Sequence, residues 1–333
     1  MHMARRIEPQ VEKVTAPMPP TQPSELAGEP TSKPTGELKP SRAVVAGLLR
    51  TARPKQWSKN LLVFAAPGAA GVLTHGTPLL HTLAAFALFC AVASGTYFLN
   101  DAMDAGADRL HPVKRNRPVA QGTIPVVAAG ATGGVLMAAG IGLGFTITDQ
   151  LGIVLAIYVG LQVAYSTYLK HLPVYDLACV AGGFLLRAIA GGVAVPVPIS
   201  EWFLTVTTFG SLLMVTGKRL AEHAELGEER GSHRATLDAY TTTYLRIVVA
   251  ISATGALVGY SLWAFGLRSA AVHHHDGIYF ELSILPVLLG LLHYAFLIDH
   301  GKGARPEELV LRDRHLQVMG VLWALLFALG IYG

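Results

Sequence analysis

Long apolar runs separated by shorter polar stretches set the pattern of this chain, and most are close to the ~20 residues needed to cross the hydrocarbon core of a bilayer. Nine such runs fall at about 60–74, 79–99, 124–146, 151–169, 174–194, 199–217, 244–265, 279–298 and 315–332. The first is the weakest, being short and interrupted by Pro67, Gly68 and Gly71. The pattern predicts an all-α integral membrane protein, a bundle of nine transmembrane helices. Residues 1–40 break from it: prolines at 9, 17, 19, 20, 23, 30, 34 and 40, scattered charges and few bulky apolar side chains. Such a segment buries too little surface to offset its ordering entropy and is expected to be a disordered cytoplasmic tail. The transmembrane domain is then 41–333.

Lysines and arginines orient the bundle. With the N-terminus in the cytoplasm, the inner connections carry Arg42, Arg50, Arg53, Lys55 and Lys59, then Arg109 to Arg117, Lys170, Lys218, Arg219, Arg230, Arg234, Arg246, Lys302, Arg305, Arg312 and Arg314. The outer connections carry only Arg268, and the C-terminus lies outside. An even number of spans would scramble this asymmetry. The long, ionisable connections are all on one side, so function is expected on the cytoplasmic face of the plasma membrane. The outer run His273–His275 reads as an incidental loop feature.

Composition adds little beyond this. The chain is 52% apolar and 14% charged, against roughly 25% charged in soluble domains. Its formal charge of +4 comes from residues placed at membrane edges, which does not point to nucleic acid. Cys90 and Cys179 fall inside apolar runs and are expected to be buried hydrophobes, not a disulfide or metal pair.

The chemistry is concentrated at the end of the second run, NDAMDAGADRLHPVKRNRP, residues 100–118. Asp101, Asp104 and Asp108 are spaced three and four apart, which on a helix places them on one face, with Asn100 one turn before Asp104. Mg²⁺ takes one or two carboxylates and completes its shell with water and phosphate oxygens. A carboxylate row next to Lys114, Arg115 and Arg117 therefore reads as a Mg²⁺–diphosphate site. Lys59, in RPKQWSKN, either clamps phosphate with Lys114 or Arg117 or anchors the helix at the interface. Tyr165 and Lys170 close the fourth run within reach of the same side. Asp176 and Arg187 lie three helical turns apart in the fifth run, where charge is costly and marks a functional or a paired group. Lys218, Arg219 and Glu222 follow the sixth, with Glu222 also able to pair Lys218 on the helix surface.

The combination resembles the UbiA prenyltransferase superfamily over about residues 45–333, carried by NDxxD after the second span and a second polar cluster after the sixth. The resemblance implies a UbiA-like helical bundle holding a diphosphate substrate through Mg²⁺. Its members have a second aspartate motif, DxxxD, where this chain has Lys218-Arg219-x-x-Glu222. With NDxxDxxxDRxHPxKRxRP, RPKQWSKN and the run at 176–192, it is similar to the phosphoribosyltransferase branch. That branch implies transfer of 5-phosphoribosyl from 5-phosphoribosyl 1-pyrophosphate to a polyprenyl (decaprenyl) monophosphate in cell-wall arabinan synthesis. Implied roles are metal binding by Asp101, Asp104 and Asp108, catalysis by Asp101, Asp104, Tyr165 and Lys170, and substrate binding by Lys59, Asn100, Asp108, Lys114, Arg115, Arg117, Asp176, Arg187, Lys218, Arg219 and Glu222. The alternative is conventional transfer of a polyprenyl group to an aromatic acceptor, which the missing DxxxD counts against. A lipid transporter is disfavoured because the outer connections are nearly uncharged. A homo-oligomer is left open.

Overall fold

The computed structural model describes residues 40–195, 197–225, 235–270, 277–304 and 306–332. The tail up to residue 39 and the run His273–His275 lie outside them. The longer helices are α1 (Pro40–Ala52), α2 (Gly76–Met103), α3 (Val126–Ile147), α4 (Asp149–Thr167) and α5 (Tyr175–Ala194). They continue as α6 (Glu201–Glu225), α7 (Thr242–Ala270), α8 (Ile284–Asp299) and α9 (Arg314–Tyr332), with no strand among the described residues.

Seven described helices are long and apolar enough to cross a membrane: α2 to α5, α7, α8 with the short helix before it, and α9. The other two expected runs differ for local reasons. α6 is a helix of 25 residues, but threonines and a charged end dilute its apolar content. Thr205, Thr207 and Thr208 return their hydroxyls to carbonyls four residues back, which satisfies them inside the helix. The run at 60–74 is not one helix. It divides into a 3-10 helix Pro54–Phe64, a short α-helix Ala65–Ala69 and a 3-10 turn Val72–Thr74. Gly71, at φ 69°, takes the left-handed conformation that ends the α-helical segment.

From α2 to α9 each helix packs on the next, and α2 also meets α4 and α5. One apolar core joins α2, α4 and α5 through Phe89, Val92, Leu151, Leu155 and Ala190. A second joins α6, α7 and α8 through Leu213, Leu220, Leu245, Val249 and Ile298. Large apolar side chains also point outward, among them Leu80, Val135, Ile157, Ile251, Leu292 and Leu325, as expected of faces turned to lipid. Between α5 and the broken first run there is no space for a side chain: a Cβ at Gly191 would stand 1.7 Å from the Val63 carbonyl oxygen. That close approach brings residues 53–63 against the bundle, where they form one wall of the site.

Candidate functional site

α2 keeps its helical hydrogen bonding past its nominal end. Asp104 N–H donates to the Asn100 carbonyl at 2.9 Å and Asp108 N–H to the Asp104 carbonyl at 2.8 Å. The aspartates therefore follow one helical track, as their spacing predicts, but meet different partners. Asp101 and Asp108, seven apart, are buried and share Arg117, at 3.1 and 2.7 Å. Asp101 also accepts from Arg53 at 2.6 Å. Asp104 is half-buried, accepts from the Asn100 amide at 3.1 Å and lies 3.9 Å from Lys170. The three carboxylates do not converge on a point. Among the described residues, the one trio of ligand-type side chains within 4.8 Å of one another is elsewhere. This open row still suits Mg²⁺, which needs only one or two carboxylates when phosphate oxygens supply the rest. Asp104 is its most accessible member.

Beside the row is a cavity of about 560 Å³. Arg53, Lys59, Arg187, Lys218 and Arg219 all line it, with Tyr97, Tyr158, Gln162 and Tyr165. Arg53 joins the two regions, since it lines the cavity while binding Asp101 and covering the Tyr97 ring at 4.6 Å. Its own backbone is left-handed, φ 53°, an uncommon state for a residue with a Cβ and one that turns the chain from α1 into the 3-10 helix.

Arg187 is buried in this wall, 6% exposed, and is held by neutral groups. Its Nε donates to Asn60 Oδ1 at 2.7 Å, one terminal nitrogen to the Gly183 carbonyl at 2.5 Å and the other to the Tyr158 hydroxyl at 2.9 Å. The rings of Tyr158, Phe184 and Phe89 lie 4.9 to 5.6 Å from its guanidinium. The salt bridge with Asp176 allowed by the sequence is not formed. A buried cation that has hydrogen bonds but no counter-ion carries unrelieved desolvation cost, and an anion entering the cavity would relieve it.

Asp176 serves the wall from behind. It is fully buried and not part of the cavity lining, accepting a short hydrogen bond from Tyr240 and one of 3.3 Å from Thr236. Its carboxylate also lies 3.4 Å from Arg219 Nε. Burial and the Asp176 hydrogen bond push the Tyr240 phenol well above the usual tyrosine range, which keeps its proton in place as a donor. The same hydroxyl accepts from Val174 N–H at 2.6 Å. Val174 has φ 71°, an outlier for a β-branched residue, and Tyr240 holds that turn just before α5.

Arg219 is divided between Asp176 and Glu222, the latter at 2.8 Å, whereas Lys218 is more exposed and lies 3.9 Å from Glu222. Lys59, Tyr165, Arg187, Lys218 and Arg219 are thus together at the cavity. Asn100, Asp101, Asp104, Asp108, Arg117 and Lys170 are together at the aspartate row. Lys114 and Arg115 join neither: both are exposed on a short 3-10 helix that turns them to solvent. Both cysteines are buried and free, and Cys179 reaches the cavity wall.

Tyr97, Tyr158, Gln162, Asn60 and Tyr240 also serve the site, and none of them was expected from the sequence. A signal existed for two of them. Tyr158, Gln162 and Tyr165 are spaced four and three apart, a polar stripe along an otherwise apolar helix. Asn60 and Tyr240 had none, because they reach Arg187 and Asp176 across 127 and 64 positions of chain.

Solved structures share this arrangement of helices. A UbiA homolog from Archaeoglobus fulgidus bound to DMAPP and Mg²⁺ superposes with a TM-score of 0.63 over 85% of this chain and 97% of its own, at 19% identity. That likeness concerns the fold alone. Relatives in sequence are nearer. Decaprenyl-phosphate phosphoribosyltransferase of Mycolicibacterium smegmatis is 42% identical over 302 residues, covering 88% of this chain and 95% of the relative. The protein of the same name from Corynebacterium glutamicum is 42% identical over 299 residues, covering 88% and 89%. The model of the UbiA prenyltransferase family matches residues 61–329, which include the aspartate row and all of the cavity wall from Tyr97 onward. With the family model spanning most of its length and such relatives beside it, the chain belongs to the UbiA prenyltransferase family.

Proposed function

We propose that this protein transfers the 5-phosphoribosyl group of 5-phosphoribosyl 1-pyrophosphate to a polyprenyl (decaprenyl) monophosphate, releasing pyrophosphate, as a step toward cell-wall arabinan precursors. The observation that carries the reading is the cavity's cations. Arg53, Lys59, Arg187, Lys218 and Arg219 converge on one space, and Arg187 has only neutral partners there. Such a wall selects polyanions, and the reaction brings two together. The 41–42% identical relatives carry that activity in their names.

Asp101 and Asp104, with Asp108 and the Asn100 amide in support, would hold Mg²⁺, which supplies charge neutralisation to a departing pyrophosphate. Asp104 is the open member. Asp101 and Asp108 need Arg117 to give way or to turn its free donors onto the same phosphates. Lys170 beside Asp104, and Arg53 beside Asp101, extend positive charge from the row into the cavity. Lys218 takes the additional phosphate of the sugar substrate. Arg219 acts mainly through Asp176 and Glu222, which fix the wall on which Lys218 stands.

The lipid phosphate is placed at Arg187, with Tyr158 and Tyr165 lining its approach. One of its oxygens forms the new bond to ribose C1 while the bond from C1 to the pyrophosphate oxygen breaks, the electron pair leaving with pyrophosphate. That oxygen is anionic near neutral pH, so no general base has to remove a proton. The cations oppose the repulsion between the two substrates and the negative charge on the leaving group. We further read the bundle as nine spans in the plasma membrane, with the N-terminus and the site on the cytoplasmic side and the C-terminus outside.

The test supplies radiolabelled 5-phosphoribosyl 1-pyrophosphate and polyprenyl phosphate to the purified protein with Mg²⁺. The expected result is a labelled lipid and one pyrophosphate per product. No labelled lipid, with prenyl transfer to an aromatic acid from polyprenyl diphosphate instead, overturns the reading.

A further inference from the structure

We propose that His293, Asp313 and His315 form a site for one divalent transition-metal ion of the Zn²⁺ class, bracing α8 to α9. His293 lies within α8, Asp313 just before α9 and His315 in its first turn. One ligand atom from each lies within 4.8 Å of the other two, the one such trio among the described residues. His293 Nε2 is 3.1 Å and His315 Nδ1 4.0 Å from the same oxygen, Asp313 Oδ1, and the two imidazoles have centroids 5.0 Å apart.

Ordinary structure accounts for part of this cluster. Asp313 caps α9, its Oδ1 accepting from Leu316 N–H at 3.0 Å and its carbonyl from Gln317 N–H at 3.1 Å. The His293 contact can also be read as one hydrogen bond between helices. Neither role requires His315. Its side chain is 79% exposed, yet its Nδ1 is turned toward the oxygen already used by His293. Two imidazole nitrogens converging on one carboxylate make a His₂Asp donor set. The backbone hydrogen bond to Asp313 is the kind of outer contact that orients a metal-binding carboxylate.

The donor chemistry sets the class of ion. Imidazole suits Zn²⁺, Ni²⁺, Cu²⁺ and Co²⁺, whereas Mg²⁺ and Ca²⁺ prefer shells of oxygen. Zn–N bonds of about 2.0–2.1 Å require both rings to swing slightly inward, which the exposed His315 and half-buried His293 are free to do. Three protein donors leave a fourth position for water. This cluster is separate from the aspartate row and contributes no residue to the cavity lining.

The experiment uses the full chain in detergent, freed of metal by chelation and kept in excess Mg²⁺, carrying His273→Ala, His274→Ala and His275→Ala to remove the other histidine run. Adding Zn²⁺ is expected to raise the unfolding midpoint, by mass action on the folded state. Co²⁺ is expected to give the intense visible absorption of a tetrahedral centre at one equivalent per chain. His315→Ala removes no capping or core contact, so its metal-free midpoint should match the parent while both metal responses disappear. His293→Gln should also abolish them. A Zn²⁺ response of the same size in His315→Ala, or none in the parent, overturns the proposal.

Discussion

Each of the site's charged residues has a different degree of freedom, and that decides what a substitution does. Asp104 is half-buried, with no arginine on its carboxylate, so Asp104→Asn keeps the Asn100 contact and removes only charge. We expect transfer to fall by roughly a hundredfold or more with an unchanged unfolding midpoint, measured as labelled lipid beside a thermal melt. Wild-type turnover would take Asp104 out of the site. Tyr240 is the opposite case. Tyr240→Phe leaves the Asp176 carboxylate and Val174 N–H each short of a partner. The expected cost is about 1–3 kcal/mol, seen in the same melt, with activity falling only as the fold loosens. An unchanged midpoint would show that the 172–176 turn stands without it. The aspartate row was legible at this scale because its spacing is local. Arg187's partners were not, since Asn60 belongs to another segment and Tyr158 to another helix.

At the scale of elements, the bundle depends on places where backbones touch. α2 and α3 cross where a Cβ at Gly133 would meet the Gly95 carbonyl oxygen at 2.8 Å. At Gly191 the corresponding contact is with a carbonyl oxygen of the 3-10 helix, which cannot swing aside as a flexible side chain would. Gly191→Ala should therefore push Pro54–Phe64 outward and cost about 1–3 kcal/mol or more. Because that segment carries Lys59, and Arg53 just before it, the KM for the sugar substrate should rise as well. Gly182→Ala is the control, since its Cβ would meet only a Leu161 methyl at 3.4 Å. Equal behaviour of the two variants would mean that the close approach positions nothing. The broken first run was foreseeable from Pro67 and its glycines. Its use as a wall of the cavity was not, because that depends on which helix it packs against.

For the whole molecule, the proposed direction across the membrane makes a labelling prediction. Single cysteines introduced by Asn116→Cys and Gly76→Cys, in a chain with Cys90→Ala and Cys179→Ala, should react from opposite sides. With the N-terminus inside, an impermeant maleimide applied to intact cells should label position 76 alone, and position 116 only after permeabilisation. The reverse labelling would invert the topology and put the aspartate row outside.

Hydropathy and spacing alone were enough for the helical membrane class, the approximate positions of seven apolar spans, the acidic row and the unusual Lys218-Arg219 pair. These are set by hydropathy and short spacings, which a helix converts directly into faces. Tertiary structure decided the partners. It assigned Asp176 to Arg219 and Tyr240, gave Arg187 only neutral hydrogen bonds, left Lys114 and Arg115 in solvent and brought Arg53 between row and cavity. The physical reason is that desolvation and pairing depend on what lies within a few ångströms. In a bundle, most of those neighbours come from distant parts of the chain.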